Sequence, residues 1–143
     1  MKKIKIKYFS NEIDKITKIS KGDLIDLRAS KTIELKAGEY KMIPLGIGMK
    51  LPKKYKANVY PRSSTFKTYG ILMTNSVGQI DNSFSGNEDQ WHMPVYATRD
   101  TTINLNDRIC QFEIVPIQPK INFIEVENLD NESRNGFGST GKQ

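Results

Sequence analysis

Cysteine and histidine are almost absent from this chain, since each occurs once in 143 residues, as Cys110 and His92. One of each cannot supply the ligands of a zinc or iron–sulfur site. A lone cysteine cannot form an internal disulfide, which is typical of proteins in a reducing cytoplasm. Cys110 lies in an apolar stretch and is interpreted as a small buried hydrophobe. Catalysis by Ser-His-Asp or Cys-His would need His92, which has no recognisable partner and is interpreted as structural.

Long apolar runs are also missing. No segment approaches the length that crosses a bilayer, and the lysine-rich start lacks the apolar segment of a signal peptide. These absences predict a cytoplasmic protein with no membrane partner. The formal net charge of +6 suits an anionic ligand such as a nucleotide. Solvated lysines on strand faces explain the same charge, so the charge alone does not decide the function.

The hydrophobic pattern predicts an all-β fold. Residues 3–8 alternate lysine with apolar side chains, which is typical of a half-exposed strand. Many short β-like runs separated by turn residues indicate a sandwich or barrel. One short helix is expected near Ser63–Thr68, with Ser63 or Ser64 as its cap. The other predicted strands are Leu24–Arg28, Lys41–Pro44, Ile47–Leu51, Ala57–Pro61, Ile71–Thr74, Trp91–Thr98, Arg108–Ile114 and Ile121–Glu127.

The C-terminal segment has the composition of a phosphate-binding tail. Glycines allow backbone N–H groups to approach phosphate oxygens, hydroxyls donate further bonds, and arginine supplies charge. An aromatic ring offers a flat face to a nucleobase. A disordered glycine-rich tail without a ligand would have the same composition. The residues concerned are Arg134, Gly136, Phe137, Gly138, Ser139, Thr140 and Gly141.

Three other segments carry useful side chains. Pro61-Arg62-Ser63-Ser64 ends an apolar strand with a guanidinium and two hydroxyls. The segment Gly78–Gly86 is interpreted as a β-hairpin that presents Asp81 and Phe84. In Asn106–Phe112, a turn leads into a buried strand in which Gln111 is the odd polar residue. Each segment taken singly is also compatible with an ordinary turn or edge strand.

Taken together, these segments resemble the trimeric dUTPase family, whose members hydrolyse dUTP to dUMP and pyrophosphate. The resemblance covers nearly the whole chain. It implies a jelly-roll-like β-barrel in residues 1–127 and a flexible arm in residues 128–143 that closes over an active site of a homotrimer. The five family motifs appear as Asp26-Leu27-Arg28-Ala29, Pro61-Arg62-Ser63-Ser64, Gly78-Gln79-Ile80-Asp81 through Gly86, Asn106-Asp107-Arg108-Ile109-Cys110-Gln111, and Arg134 with Gly136-Phe137-Gly138-Ser139-Thr140-Gly141.

The resemblance also implies the chemistry. Asp81 matches the carboxylate that activates the water attacking the α-phosphorus. Mg²⁺ is the implied cofactor, held by the substrate phosphates and by waters that Asp26 and Gln111 contact. Asn75 matches a side chain that reads uracil beside the backbone of Gly78 and Ile80, and Phe84 an aromatic ring that packs under the deoxyribose. The other implied substrate-binding residues are Arg62, Ser63, Ser64, Gln111, Arg134, Phe137, Gly138, Ser139 and Thr140.

The chain departs from the family pattern at several positions. Ser64 replaces a usual glycine, and Ser83-Phe84-Ser85 replaces a usual Asp-Tyr-Arg. Only two residues separate Arg134 from Phe137, whereas the family has four. The segment Asp89-Gln90-Trp91 resembles prophage members of the family.

Three alternatives stay open. A dCTP deaminase relative would share the fold but would need a glutamate base that the segment Gly78–Asp81 lacks. A phage regulatory protein of the same fold would use its nucleotide-bound state to control a protein partner, with or without catalysis. A β-barrel that binds single-stranded nucleic acid would need exposed aromatics among its basic residues. Most of the aromatics here are expected in the core, so no nucleic-acid partner is expected.

Overall fold

The structure is a computed structural model that describes residues 1–135, and nearly all of its regular structure is β-strand. One short helix, α1, lies between the sixth and seventh strands. The elements are β1 (Lys5–Tyr8), β2 (Ile25–Arg28), β3 (Ile33–Leu35), β4 (Tyr40–Pro44), β5 (Ile47–Lys50), β6 (Tyr55–Pro61), α1 (Thr65–Tyr69), β7 (Ile71–Met73), β8 (Gly78–Ile80), β9 (His92–Ala97), β10 (Thr101–Ile103) and β11 (Arg108–Pro116).

The strands form four antiparallel sheets in the described part of the chain. The largest has the order β2-β11-β6-β8, and a three-stranded sheet has the order β4-β9-β7. Two-stranded sheets pair β1 with β5 and β3 with β10. Most paired strands are distant in sequence, so the neighbours of each strand are settled only when the whole chain has folded.

The core is formed by the inward-facing residues of these sheets. Along β6, Ala57 and Val59 are buried while the other residues of the strand are half-buried. Trp91 and Phe112 are both buried and meet edge to face, with ring centroids 5.4 Å apart. The other aromatic side chains of residues 1–135 are half-buried or exposed. The prediction that most aromatics lie in the core is therefore wrong, because only one face of each strand is turned inward. The alternation of buried and half-buried residues along β6 is the period-two pattern of strands with one face in the core. It confirms the predicted all-β fold.

The short helix lies close to its predicted place. It begins at Thr65 after the N-cap residue Ser64, but the Ser64 side chain makes no capping hydrogen bond. Gly70 ends the helix in the left-handed region with φ 66°, and its N–H donates to the carbonyl of Phe66. Glycine adopts this conformation without steric cost, which explains the sharp end. No helix among residues 1–135 is long and apolar enough to cross a membrane.

Two predictions about local structure are wrong. The segment Gly78–Gly86 is not a hairpin, because Gly78–Ile80 pairs with β6 and the following residues form an irregular loop. The predicted strand Ile121–Glu127 is absent, and these residues are exposed. Both errors have one cause: a local pattern shows that a segment suits a strand, but pairing depends on a distant or separate partner. The short strands β3 and β10 were missed because three residues carry little periodicity.

Candidate active site

One end of the large sheet brings an acid and two arginines together, and we call this group the Asp26–Arg62 corner. Asp26 on β2 lies 3.1 Å from Nε of Arg62, measured to Oδ1. Its other oxygen, Oδ2, lies 3.5 Å from Nη1 of Arg108. The Asp26 side chain is 24% exposed, and those of Arg62 and Arg108 are 27% and 48% exposed. Two guanidinium groups beside one carboxylate leave positive charge to spare, which suits a polyphosphate.

The strand register explains why these residues meet. Gln111 on β11 lies opposite Asp26 on one side and Tyr60 on the other. Its amide donates to the carbonyl of Pro61 at 3.2 Å, immediately before Arg62. The predicted site residues Asp26, Arg62 and Gln111 therefore lie together, with Ser63 and Ser64 following Arg62 in the chain. Ser63 is exposed and Ser64 is half-buried.

A buried threonine holds this corner in place. Thr65 is 2% exposed. Its hydroxyl accepts from the N–H of Arg62 and donates to the carbonyl of Ile109, each at 2.9 Å. The hydroxyl thus joins the start of α1 and the loop of Arg62 to β11. Sequence reasoning missed both Thr65 and the role of Arg108; a hydroxyl residue three positions after Arg62 is a local signal for such a bond.

Thr65→Val is expected to lower the free energy of unfolding by about 1–3 kcal/mol, because valine keeps the shape but leaves a buried N–H and C=O without their partner. The matched control is Thr68→Val, an exposed position on the same helix, with an expected effect within about 0.5 kcal/mol. Denaturant unfolding at one protein concentration measures both. Equal stability of the two variants would show that the Thr65 hydroxyl is dispensable.

The second group of predicted residues follows strands β7 and β8. Asn75 is exposed in a tight turn after β7, where Ser76 has φ 60°. Ile80 ends β8 opposite Ala57, and Gly78 lies opposite Val59. A Cβ added at Gly78 would lie only 3.2 Å from that of Val59, so glycine lets β8 pack closely on β6.

The irregular loop after β8 presents the proposed catalytic acid. We call residues 81–91 the Asp81 loop. Asp81 is exposed at its start, and Phe84 is 39% exposed three residues later. The N–H of Phe84 donates to the carbonyl of Asp81 at 3.0 Å, which folds this part of the loop into a turn. Both side chains therefore face solvent in the single chain.

The two groups lie at opposite ends of β6. Ile80 pairs with Ala57, so Asp81 continues toward Lys56, whereas Arg62 follows Pro61 at the other end. The six residue steps from Lys56 to Arg62 span about 20 Å at the rise of a β-strand. One chain therefore does not bring Asp81 to the Asp26–Arg62 corner.

The structure also shows the surroundings of the lone cysteine, the lone histidine and Arg134. Cys110 is fully buried, and burial raises the pKa of its thiol far above the usual range, as expected for an inert core residue. His92 is half-buried with Nδ1 2.9 Å from the carbonyl of Gln90. Arg134 is exposed. The predicted arm residues Phe137, Gly138, Ser139 and Thr140 lie outside the described residues.

Comparisons with curated proteins indicate a family. The dUTPase family model matches residues 11–141 of this chain. The chain is 50% identical over 138 residues to the SPbeta prophage-derived deoxyuridine 5'-triphosphate nucleotidohydrolase YosS of Bacillus subtilis, covering 96% of this chain and 97% of that protein. It is 38% identical to the deoxyuridine 5'-triphosphate nucleotidohydrolase of Finegoldia magna, covering 92% and 93% of the two chains.

Solved structures show the same fold. The Staphylococcus bacteriophage 80alpha dUTPase with dUPNHPP matches with a TM-score of 0.81 at 20% identity, over 99% of both chains. The dUTPase from Streptococcus mutans matches with a TM-score of 0.72 at 18% identity, over 82% of this chain and 98% of that one. These likenesses concern the fold and confirm the predicted dUTPase type of β-barrel.

Proposed function

The chain belongs to the dUTPase family, and we propose that it hydrolyses dUTP to dUMP and pyrophosphate with Mg²⁺. The observation that carries the proposal is the corner of Asp26, Arg62, Arg108 and Gln111, a cationic site beside a strand end in a chain half identical to a prophage-derived deoxyuridine 5'-triphosphate nucleotidohydrolase. Such a corner suits a triphosphate better than a neutral ligand.

The proposed residue roles follow from the chemistry of each group. Asp81 orients a water in line with the α-phosphorus and accepts its proton as the O–P bond forms. Gln111 donates to an α-phosphate oxygen through its amide. Arg62 and Ser63 stabilise the negative charge that grows on the departing pyrophosphate. Positioning and charge stabilisation are the main demands of phosphoryl chemistry, so one base and a few donors are enough.

The carboxylate of Asp26 fits the proposed magnesium cofactor. When bound to the triphosphate, Mg²⁺ neutralises its charge and polarises its phosphoryl oxygens. The ion keeps several of its waters and usually needs only one or two carboxylates besides the phosphates. Asp26 is partly exposed and can accept hydrogen bonds from such waters, while Arg62 and Arg108 hold its orientation.

A homotrimer with shared active sites is the proposed assembly. Gln111 and the water on Asp81 must both contact the α-phosphate, yet the β6 register places their surroundings about 20 Å apart in one chain. If the Asp81 loop of one chain lies against the Asp26–Arg62 corner of another chain, both groups can contact the same α-phosphate. We also propose that residues 1–127 form the barrel and that residues 128–143 form the arm.

The segment after β11 supports the assembly. It carries large apolar side chains that no part of the described chain covers, and Phe123, Leu129 and Ile124 are 89%, 82% and 77% exposed. Apolar side chains exposed in series mark an interaction surface. The proposed assembly would account for the failed strand prediction at Ile121–Glu127, because a strand-like pattern without a partner among residues 1–135 can pair with another chain.

Arm residues complete the proposed site. Phe137 would stack on uracil, while Arg134, Ser139 and Thr140 would hold the β- and γ-phosphates. Gly138 allows close approach of the backbone. Asn75 and the backbone of Gly78 and Ile80 would read the uracil edge, whose donor and acceptor pattern differs from that of cytosine. The role as a phage regulatory protein stays a prediction.

Phe84→Ala is expected to admit UTP, because the ring is proposed to occupy the space that a ribose 2′-OH would need. Phe84→Tyr is the matched control and should keep the preference for dUTP, since the ring remains. Steady-state kcat/KM values on dUTP and UTP measure the change. A preference for dUTP that survives in the alanine variant would remove Phe84 from this role.

The decisive experiment is direct. The purified protein is incubated with dUTP and Mg²⁺, and the release of dUMP and pyrophosphate is measured, with dCTP in a parallel reaction. Pyrophosphate from dUTP supports the proposal. Ammonia from dCTP would support the deaminase alternative. If neither pyrophosphate nor ammonia is released, the remaining alternative is a non-catalytic nucleotide-binding protein.

A further inference from the structure

Asn82, the residue directly after the proposed catalytic acid, makes two hydrogen bonds that fix the start of the Asp81 loop. Its side-chain nitrogen donates to the carbonyl of Pro52 at 2.9 Å and to that of Tyr55 at 2.8 Å. The residue is half-buried, although its neighbours Asp81 and Ser83 are exposed. Both partners are carbonyl oxygens, and the two N–H donors of the amide satisfy them together.

The acceptors belong to a rigid part of the chain. Residues 52–55 form the turn between β5 and β6, closed by a bond from the N–H of Tyr55 to the carbonyl of Pro52 at 3.1 Å. Lys54 in this turn has φ 69°. Its carbonyl accepts from the N–H of Ile117 at 3.0 Å, just after β11 ends. The turn is therefore held by two strands of the largest sheet.

The backbone of Asp81 is thus anchored on both sides. Before it, Ile80 pairs with Ala57 on β6. After it, Asn82 is bonded to the turn that leads into β6. A general base must be held close to its productive position, and an error of about 1 Å can cost roughly 10²-fold in rate. Residues 83–88 beyond this anchor are exposed, so Asn82 is the last half-buried anchor before the loop leaves the sheet.

From these contacts we infer that Asn82 is a positioning residue, which holds the carboxylate of Asp81 where it orients the attacking water, without touching the substrate. The inference rests on the proposed function. The side-chain amide of Asn82 hydrogen-bonds the loop to the turn at residues 52–55, so that Asp81 and β6 move as one body. The same anchor orients Phe84, whose N–H bonds to the carbonyl of Asp81.

The test compares Asn82→Ala and Asn82→Asp with Asn87→Asp. Asn82→Asp keeps the size of the side chain but places a carboxylate against two carbonyls. Asn87→Asp adds the same charge to the same loop at an exposed position where the structure uses the backbone carbonyl and not the side chain. Three quantities are measured for each full-length protein: kcat on dUTP, the Kd of a non-hydrolysable α,β-imido analogue of dUTP, and the melting temperature.

Both Asn82 variants are expected to lose kcat by about 10- to 100-fold. The Kd of the analogue should change by less than about threefold, because binding groups are retained. Asn87→Asp should resemble the wild type in all three quantities. Unchanged kcat in both Asn82 variants would overturn the inference. A fall in kcat, in affinity for the analogue and in melting temperature together would also overturn it, because that combination indicates general loss of structure. If the wild type does not hydrolyse dUTP, the proposed function itself fails before the variants are compared.

Discussion

Asp81→Asn is expected to hydrolyse dUTP about 10²–10⁴-fold more slowly than the wild type, because asparagine keeps the shape of the side chain but cannot accept the proton of the attacking water. Asp81 is exposed in the single chain, so the substitution leaves no buried group without a partner, and the fold should persist. The measurement is pyrophosphate release at saturating dUTP and Mg²⁺.

Binding provides the control for this variant. The affinity for the α,β-imido analogue of dUTP should stay close to that of the wild type, since the phosphate and uracil contacts are proposed to come from other residues. Asp89→Asn serves as a matched substitution elsewhere in the loop, although it removes the carboxylate that accepts from the N–H of Gly86 at 2.8 Å. Pyrophosphate release at the wild-type rate by the Asp81 variant would refute its role as the base.

Truncation after Asn131 is expected to abolish most turnover, because it removes Arg134 together with the proposed arm residues Phe137, Ser139 and Thr140. Charge-assisted hydrogen bonds are worth about 1.5–3 kcal/mol each. Two such bonds correspond to roughly 10²–10⁴-fold in rate. The barrel keeps its sheets, whose last strand ends at Pro116, so the truncated protein should fold.

Mixed assemblies make the test of shared sites specific. Asp81→Asn protein and the truncated protein are each expected to be nearly inactive, but mixed trimers would hold a few sites with an intact Asp81 and an intact arm. Activity should therefore return when the two are refolded together and mixed trimers are verified by mass. No recovery in verified mixed trimers would mean that each arm serves the Asp81 of its own chain.

The shortened spacing before Phe137 bears on the same experiment. Two residues fewer than the family pattern shorten the reach of the arm by roughly 7 Å when it is extended. The long side chain of Arg134 can recover part of that distance. A chain that ends after Asn135 restores residues 132–135, Arg134 among them, and the same chain with Arg134→Ala then separates the contribution of the guanidinium from that of the ring at position 137.

Much of the candidate site could be predicted from the sequence because its residues stand in short contiguous motifs. Arg62 and Ser63 follow an apolar strand, and Asp81 follows three strand residues, so their local settings are visible in the sequence. The partners of these residues were not visible. Asp26 meets Arg62 across two strand pairings, and Thr65 reaches Ile109, which is 44 positions away. Asn82 likewise bonds to carbonyls about 30 positions earlier.

The strand character of the chain and the identity of its chemical groups can be read from the sequence, because period-two alternation and side-chain type are local properties. Which strands pair became visible in the folded chain. It showed that Gly78–Ile80 pairs with β6 and does not form a hairpin, and that Ile121–Glu127 finds no partner among residues 1–135. It also placed Asp81 and Arg62 at opposite ends of β6. The physical reason is that strand hydrogen bonds are satisfied between segments distant in sequence, so register and site geometry exist only once the sheets have assembled.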